Sequence, residues 1–213
     1  MYKTGIETKQ TIIDCAKKLF RENGYKNTSV HMICRAAGAK LGTFTYYFPK
    51  KNDLLSLIYR DYMQKCIDYV NEKKPGLTGP EHHLMTVMLY YCHLYSDPAV
   101  IGFHREVMEL GSMNVWFHDP RSLIEGFSGG RERVRDERTF SLFVKADNAV
   151  RRELNLNFIS SEDHSMKAVL GLMKDIYTIN ARLFDVDEAL IQEYLKRAYR
   201  FAEKHTNADI SLL

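Results

Sequence analysis

The sequence predicts an all-α protein, with a three-helix helix-turn-helix domain at residues 1–51 and a larger helical domain at residues 52–213. Three observations carry that prediction. Apolar residues recur at three- and four-residue spacing nearly throughout, as one face of a helix requires. No stretch alternates apolar and polar residues over more than a few positions, as a half-exposed strand would. Finally, 5 prolines and 12 glycines in 213 residues are few for a loop-rich all-β chain.

The elements follow in order. Ile12, Ile13, Ala16, Leu19 and Phe20 share one face of a first helix, which Gly24 can end. Thr28 or Ser29 can cap a second, with Val30, Ile33, Cys34 and Ala37 inward and Gly38 at its end. A third is expected from about Lys40 to Tyr47, where Leu41, Phe44 and Phe48 should face the core and Pro49 breaks it. A longer fourth helix starts near Lys51, lined by Leu54, Leu55, Ile58 and Tyr62, and can reach Glu72. Residues 73–80 read as a linker. Further helices are expected near 81–95, 98–111, 120–127, 137–153, 161–183 and 187–205, with a loop at 128–130. Pro98 and Pro120 suit a first helical position, and residues 185–188 resemble a capping box.

Charge is distributed unevenly. Residues 1–51 hold ten Lys/Arg against three Asp/Glu, although the whole chain is only +3. A basic head on a mildly acidic body suits a polyanion, and also suits a solvated surface. Membrane spanning is not expected, because the most apolar stretch, Leu84 to Tyr95, is short and interrupted. The four cysteines are widely spaced without a C-x-x-C pair, which predicts a cytoplasmic protein with neither disulfides nor a zinc site. The polar N-terminus predicts no secretion signal. Enzyme motifs are missing as well: there is no Walker pattern, no G-x-S-x-G, and no metal-ligand spacing at His82-His83 or Cys92-His93. No cofactor or metal is expected. The arginines at 131, 133, 135 and 138 alternate with acids and read as a balanced surface.

Two short helices joined by a glycine turn and braced by a first helix form a helix-turn-helix, whose second helix enters the major groove. With its apolar side inward, that helix points Lys40, Thr43, Tyr46 and Tyr47 outward. Phenols and hydroxyls there can bond phosphate oxygens, and a threonine methyl can touch thymine. Lys50 and Lys51 stand at the next helix start, where free amides also favour a phosphate.

Residues 11–59 resemble the DNA-binding domain of the tetracycline-repressor (TetR) family. The likeness rests on Ile12 through Ala16 to Phe20, Gly24-Tyr25, Thr28 to Val30, and Ile33 through Ala36 to Gly38. It continues through Gly42-Thr43-Phe44, Tyr47-Phe48-Pro49-Lys50-Lys51 and Leu54-Leu55. The resemblance implies base-reading roles for Thr43 and Tyr46 and phosphate contacts for Tyr47 and Lys51. It places Thr28 and His31 near the backbone or a base edge, and Lys40 and Leu41 where operator preference is set. Thr45 departs from the aromatic residue usual at its position; its hydroxyl can still reach a phosphate.

A single head reads few base pairs, so a homodimer on a palindromic duplex operator is expected. Met166, Val169, Leu170, Met173, Ile176, Tyr177 and Asn180 form one helical stripe; Leu190, Tyr194, Ala198, Phe201 and Ala202 form another. The family likeness places the dimer there, while periodicity alone suits the chain's own core equally well. The resemblance also implies a cavity for a small, largely apolar effector in the C-terminal domain. Candidates to line it are Met85, Met88, Tyr91, Tyr95, Phe103, Met108, Met113, Trp116, Phe117, Phe140 and Phe143, with His104 or Asn148 as polar handles. The same residues also fit an ordinary core, and no pocket residue is assigned. The expected function is a ligand-released repressor; a regulator governed by a protein partner is the alternative, and a helical enzyme is the remote one.

Overall fold

Most helices begin where a short polar side chain can take an orphan backbone amide. The computed structural model describes residues 4–110 and 136–213, and among these it shows nine helices and no strand. They are α1 (Gly5–Asn23), α2 (Val30–Ala37), α3 (Leu41–Tyr47), α4 (Lys51–Lys73), α5 (Gly79–Leu94), α6 (Pro98–Glu109), α7 (Glu137–Ser160), α8 (Met166–Phe184) and α9 (Glu188–Lys204). The expected helix at 120–127, the loop at 128–130, and Met113, Trp116 and Phe117 lie outside the described residues.

Thr4 opens α1 with a capping box: its Oγ1 accepts the Glu7 amide at 3.3 Å, and the Glu7 carboxylate accepts the Thr4 amide at 2.8 Å. Ser29, not Thr28, caps α2 by accepting the Met32 amide at 3.2 Å. Asp97, Asp136, Ser165 and Asp187 cap α6 to α9. Two boundaries differ from expectation for this reason. Helix α8 starts at Met166 because Ser165 takes the Ala168 amide. Asp185, expected to help open α9, instead closes α8 in the left-handed region at φ 56°. Helix α7 also runs past residue 153 to Ser160.

Two compact units divide the chain. One gathers residues 4–62, 97–110 and 211–213; the other gathers 63–96 and 136–210. The boundary therefore falls within α4, after Tyr62, rather than at the expected 51/52, and α6 joins the first unit. Chemistry explains the shift. Leu54, Leu55, Ile58 and Tyr59 of α4 are fully buried, and Phe103 of α6 stacks on Phe20 of α1 at 5.3 Å and on Tyr59 at 6.2 Å. Beside them the Tyr59 hydroxyl and His104 Nδ1 share a buried 2.7 Å hydrogen bond. Burial holds the imidazole neutral by lowering its pKa to about 3.

Helix α6 also grips the turn after α1. A Glu106 oxygen accepts the Lys26 amide at 2.7 Å, Lys26 pairs with Glu109 at 2.7 Å, and Arg21 pairs with Asp97 at 2.6 Å. Gly24 permits this approach. It sits at φ 78°, and a Cβ there would lie 2.6 Å from Glu106 Oε1.

In the second unit α9 packs along α5 and α8, while α7 and α5 both pack on α8. Its interior is apolar at Leu84, Met88, Met173, Ile176 and Leu195, each fully buried. A polar network runs through the same interior. Arg151 Nε donates to both Asp147 oxygens at 2.9 Å, and the guanidinium lies 4.9 Å from the Tyr177 ring centre. Asn155 donates to the Arg151 carbonyl at 2.7 Å and accepts from Tyr95 at 2.5 Å, and His83 shares a 2.7 Å bond with the Tyr177 hydroxyl.

The four cysteines are free thiols. Cys15 is half-buried; Cys34, Cys66 and Cys92 are buried, and burial pushes the Cys66 and Cys92 thiols up to about 12. Among the described residues no helix is long and apolar enough to cross a membrane, and no cluster of His, Cys, Asp and Glu could hold a metal.

Candidate nucleic-acid interface

Helix α3 spans only seven residues, too few to be stable alone, so its orientation is set by what it buries. Phe44 and Phe48 supply the anchor, at 1% and 3% exposure with ring centres 5.6 Å apart. Burying a phenylalanine contributes about 1.5–3 kcal/mol. The expectation that Leu41 would join them is corrected: Leu41 is 46% exposed. It opens the helix directly after the Lys40 cap, before the chain has turned its apolar side inward.

The outward surface is then built as follows. Tyr46 is 80% exposed, and its ring meets that of Tyr47 edge-on at 5.0 Å. Leu41, Lys40, Lys50 and His31 are exposed, and Thr43 is half-buried. A phenol, cations, a hydroxyl and an apolar side chain therefore stand on or beside one short helix. Phosphate contact and base-edge contact need that mixture.

Four other expected contact residues bond to groups of the chain itself. Thr28 is fully buried, and its hydroxyl lies 3.2 Å from the Leu19 carbonyl and 2.7 Å from that of Gly24. Both carbonyls lie at the C-terminal end of α1, so Thr28 fastens that end of the helix. Lys51 donates to the carbonyls of Tyr25 at 2.9 Å and Thr28 at 2.8 Å, and its ammonium lies 3.9 Å from the Tyr25 ring centre. Desolvation lowers its pKa. The Tyr25 hydroxyl in turn bonds Asn52. Lys51 thus ties the start of α4 to the turn before α2.

Tyr47 is half-buried, and its hydroxyl donates to the Gly5 carbonyl at 2.9 Å, fastening α3 to the start of α1. The Thr45 hydroxyl turns back on its own helix, donating to Leu41 and Gly42 carbonyls at 3.2 and 3.1 Å. The amide at the start of α4 is also engaged, because Asp53 accepts the Lys50 N–H at 2.8 Å. Sequence reasoning missed that carboxylate. An acid three residues after a candidate helix cap was its signal.

Most of the expected dimer residues are buried within the single chain. Val169, Met173, Tyr177, Ala198 and Phe201 are 5% exposed or less within one chain, so these positions form the chain's own core. Met166, Leu170 and Tyr194 are half-buried. Of the candidate polar handles, His104 is bonded to Tyr59 and Asn148 is half-buried.

Comparison with known proteins bears on the head above all. Residues 12–58 match the family described as bacterial regulatory proteins, tetR family. An HTH-type transcriptional regulator HbdR from Aromatoleum sp. (strain CIB) is 33% identical over 104 residues, 49% of this chain and 43% of that relative. The fatty acid metabolism regulator protein of Bacillus subtilis (strain 168) is 31% identical over 87 residues, 40% of this chain and 45% of the relative. The matched stretch thus spans less than half the length of either. Among solved structures, Salmonella enterica GusR aligns over 84% of this chain and 95% of its own, at 18% identity and a TM-score of 0.45.

Proposed function

We propose that this chain, a member of the tetR family of bacterial regulatory proteins through residues 12–58, binds a palindromic duplex operator as a homodimer and represses until an effector releases it. One observation carries the reading. The seven-residue α3 anchors itself by Phe44 and Phe48 while leaving Tyr46 80% exposed. An exposed phenol beside Lys40, Thr43 and Lys50 has no solubility rationale and suits a groove lined by phosphates. The dimer uses the partly exposed side chains of α8 and α9, Met166, Leu170 and Tyr194, since the rest of those stripes is buried in the single chain. The effector is small and largely apolar and binds among the methionines and aromatics of the second unit. It must favour the DNA-free form, and it can shift binding by no more than that difference in affinity.

Selecting duplexes from a random pool tests the first part. Enrichment of an inverted repeat, bound with steep salt dependence, is the expected result; a pool that stays random overturns it. Tyr46→Ala should weaken the selected duplex by about 1–3 kcal/mol, measured by fluorescence anisotropy, with the melting temperature unchanged. A loss shared equally by all duplexes would assign Tyr46 to the phosphates instead of the bases.

A further inference from the structure

We propose that the outward face of α3 reads the 5-methyl groups of pyrimidines in the major groove. Leu41 and the Thr45 methyl are the reading surface, and Gly42 is the point of closest approach. This rests on the reading above that α3 meets duplex DNA, and it adds which chemical feature of the operator is recognised and by which side chains.

Three observations support the proposal. First, the exposed residues of α3 are Leu41, Gly42, Thr45 and Tyr46, at i, i+1, i+4 and i+5, a continuous strip turned away from the buried Phe44. Leu41, an aliphatic side chain, is 46% exposed at one end of it. Second, the Thr45 hydroxyl is spent on the helix itself, donating to the Leu41 carbonyl at 3.2 Å and the Gly42 carbonyl at 3.1 Å. The methyl is the group it leaves to face outward. Leu41 and Thr45, one turn apart, therefore present one apolar surface. Third, Gly42 lies between them with nothing of the chain nearby: a Cβ there would meet no atom within 4 Å, and its backbone is helical. Glycine costs a helix stability relative to alanine, and the fold of the head does not require it at this position. Close approach of another molecule does.

The side chains of α3 set the feature that is read. Direct readout pairs guanine with Arg or Lys, adenine with Asn or Gln, and cytosine with Asp or Glu. None of these six residue types occurs from Leu41 to Tyr47, and Lys40 and Lys50 stand outside the helix, one before it and one after. Aliphatic groups remain, and the apolar feature that a base edge offers in the major groove is the thymine methyl. A cytosine methylated at C5 carries the same group; uracil lacks it.

The test uses the full chain and the duplex enriched by selection, with affinity read by fluorescence anisotropy. Each thymine is replaced in turn by uracil, which removes the methyl and keeps every hydrogen-bonding group. At a contacted position the replacement should weaken binding about fourfold per half-site, the value of one buried methyl. Leu41→Ala should bring the thymine-to-uracil ratio close to one at the position that Leu41 covers. Thr45→Ser, which keeps the hydroxyl and removes only the methyl, should do the same at its own. Gly42→Ala should leave the melting temperature unchanged or higher while weakening the operator more than any single uracil does. Half-sites without thymine, uracil bound as tightly as thymine throughout, a ratio that survives Leu41→Ala or Thr45→Ser at every position, or a Gly42→Ala chain that binds like the parent would each overturn the proposal. A chain that enriches no duplex sinks the regulator reading as well. One that selects an operator but ignores its methyl groups sinks this reading alone.

Discussion

Each unit buries ionisable side chains, and the two do so in opposite charge states. In the first, His104 is held neutral against Tyr59, with no charge to balance. In the second, Arg151 and Asp147 are kept as a closed ion pair among tyrosines. The neutral pair costs little at neutral pH and becomes a liability in acid. The ion pair is expensive to bury and collapses if either partner is lost. Polar chemistry is also placed differently. Apart from the buried Tyr59–His104 pair and Thr28, the first unit keeps it at the edge, on helix ends and around α3, where a polymer too large to enter can reach it. The second keeps it inside, where only something small could.

The largest expected effect would break the ion pair. Arg151→Met leaves the Asp147 carboxylate buried alone and should cost about 3–5 kcal/mol in urea unfolding. Adding Asp147→Leu should recover most of that loss. If the single substitution is as stable as the parent, the pair is not desolvated as described.

The next concerns acid. A histidine whose pKa falls to about 3 on folding contributes nothing unfavourable above the unfolded value of roughly 6.5. As pH drops from there toward 3, the unfolded chain takes up a proton that the folded chain refuses. Stability should fall by about 1.4 kcal/mol per pH unit over that window. His104→Gln should remove this share of the slope, and an unchanged slope would mean the imidazole is not buried neutral.

The smallest effect separates two adjacent cations. Lys50→Gln should reduce the salt dependence of operator binding by about one phosphate contact. Lys51→Gln should leave that slope intact while loosening the head, seen as faster amide exchange around Tyr25 to Ser29. Equal changes in slope would return Lys51 to the DNA.

Much of the head was legible because its signals are local. Phe44 and Phe48 inward, Pro49 as a stop, Ser29 as a cap and Gly24 and Gly38 as ends follow from spacing and φ alone. The intrachain bonds of Thr28 and Lys51 were not legible for the opposite reason. A hydroxyl or ammonium suits a phosphate and a backbone carbonyl equally, and the carbonyls that claimed Lys51 lie 23 and 26 residues away in sequence. The stripes on α8 and α9 show a second limit. Period reports that a face is buried, never what covers it, and here the single chain covers most of both. The interior network was hardest to foresee. Asp147, Arg151 and Asn155 fall at i, i+4 and i+8 on one face of α7, a spacing that solvated ion pairs share.

The thiols turn the two units into clocks that can be timed separately. Cys34 sits in the first, Cys66 and Cys92 in the second, and all three are shut away from solvent. With Cys15 replaced, an alkylating reagent reaches each of the others only when its surroundings open, so labelling rates followed by mass spectrometry give the lifetime of each fold without any added tag. Operator DNA should slow the first clock, and an effector the second.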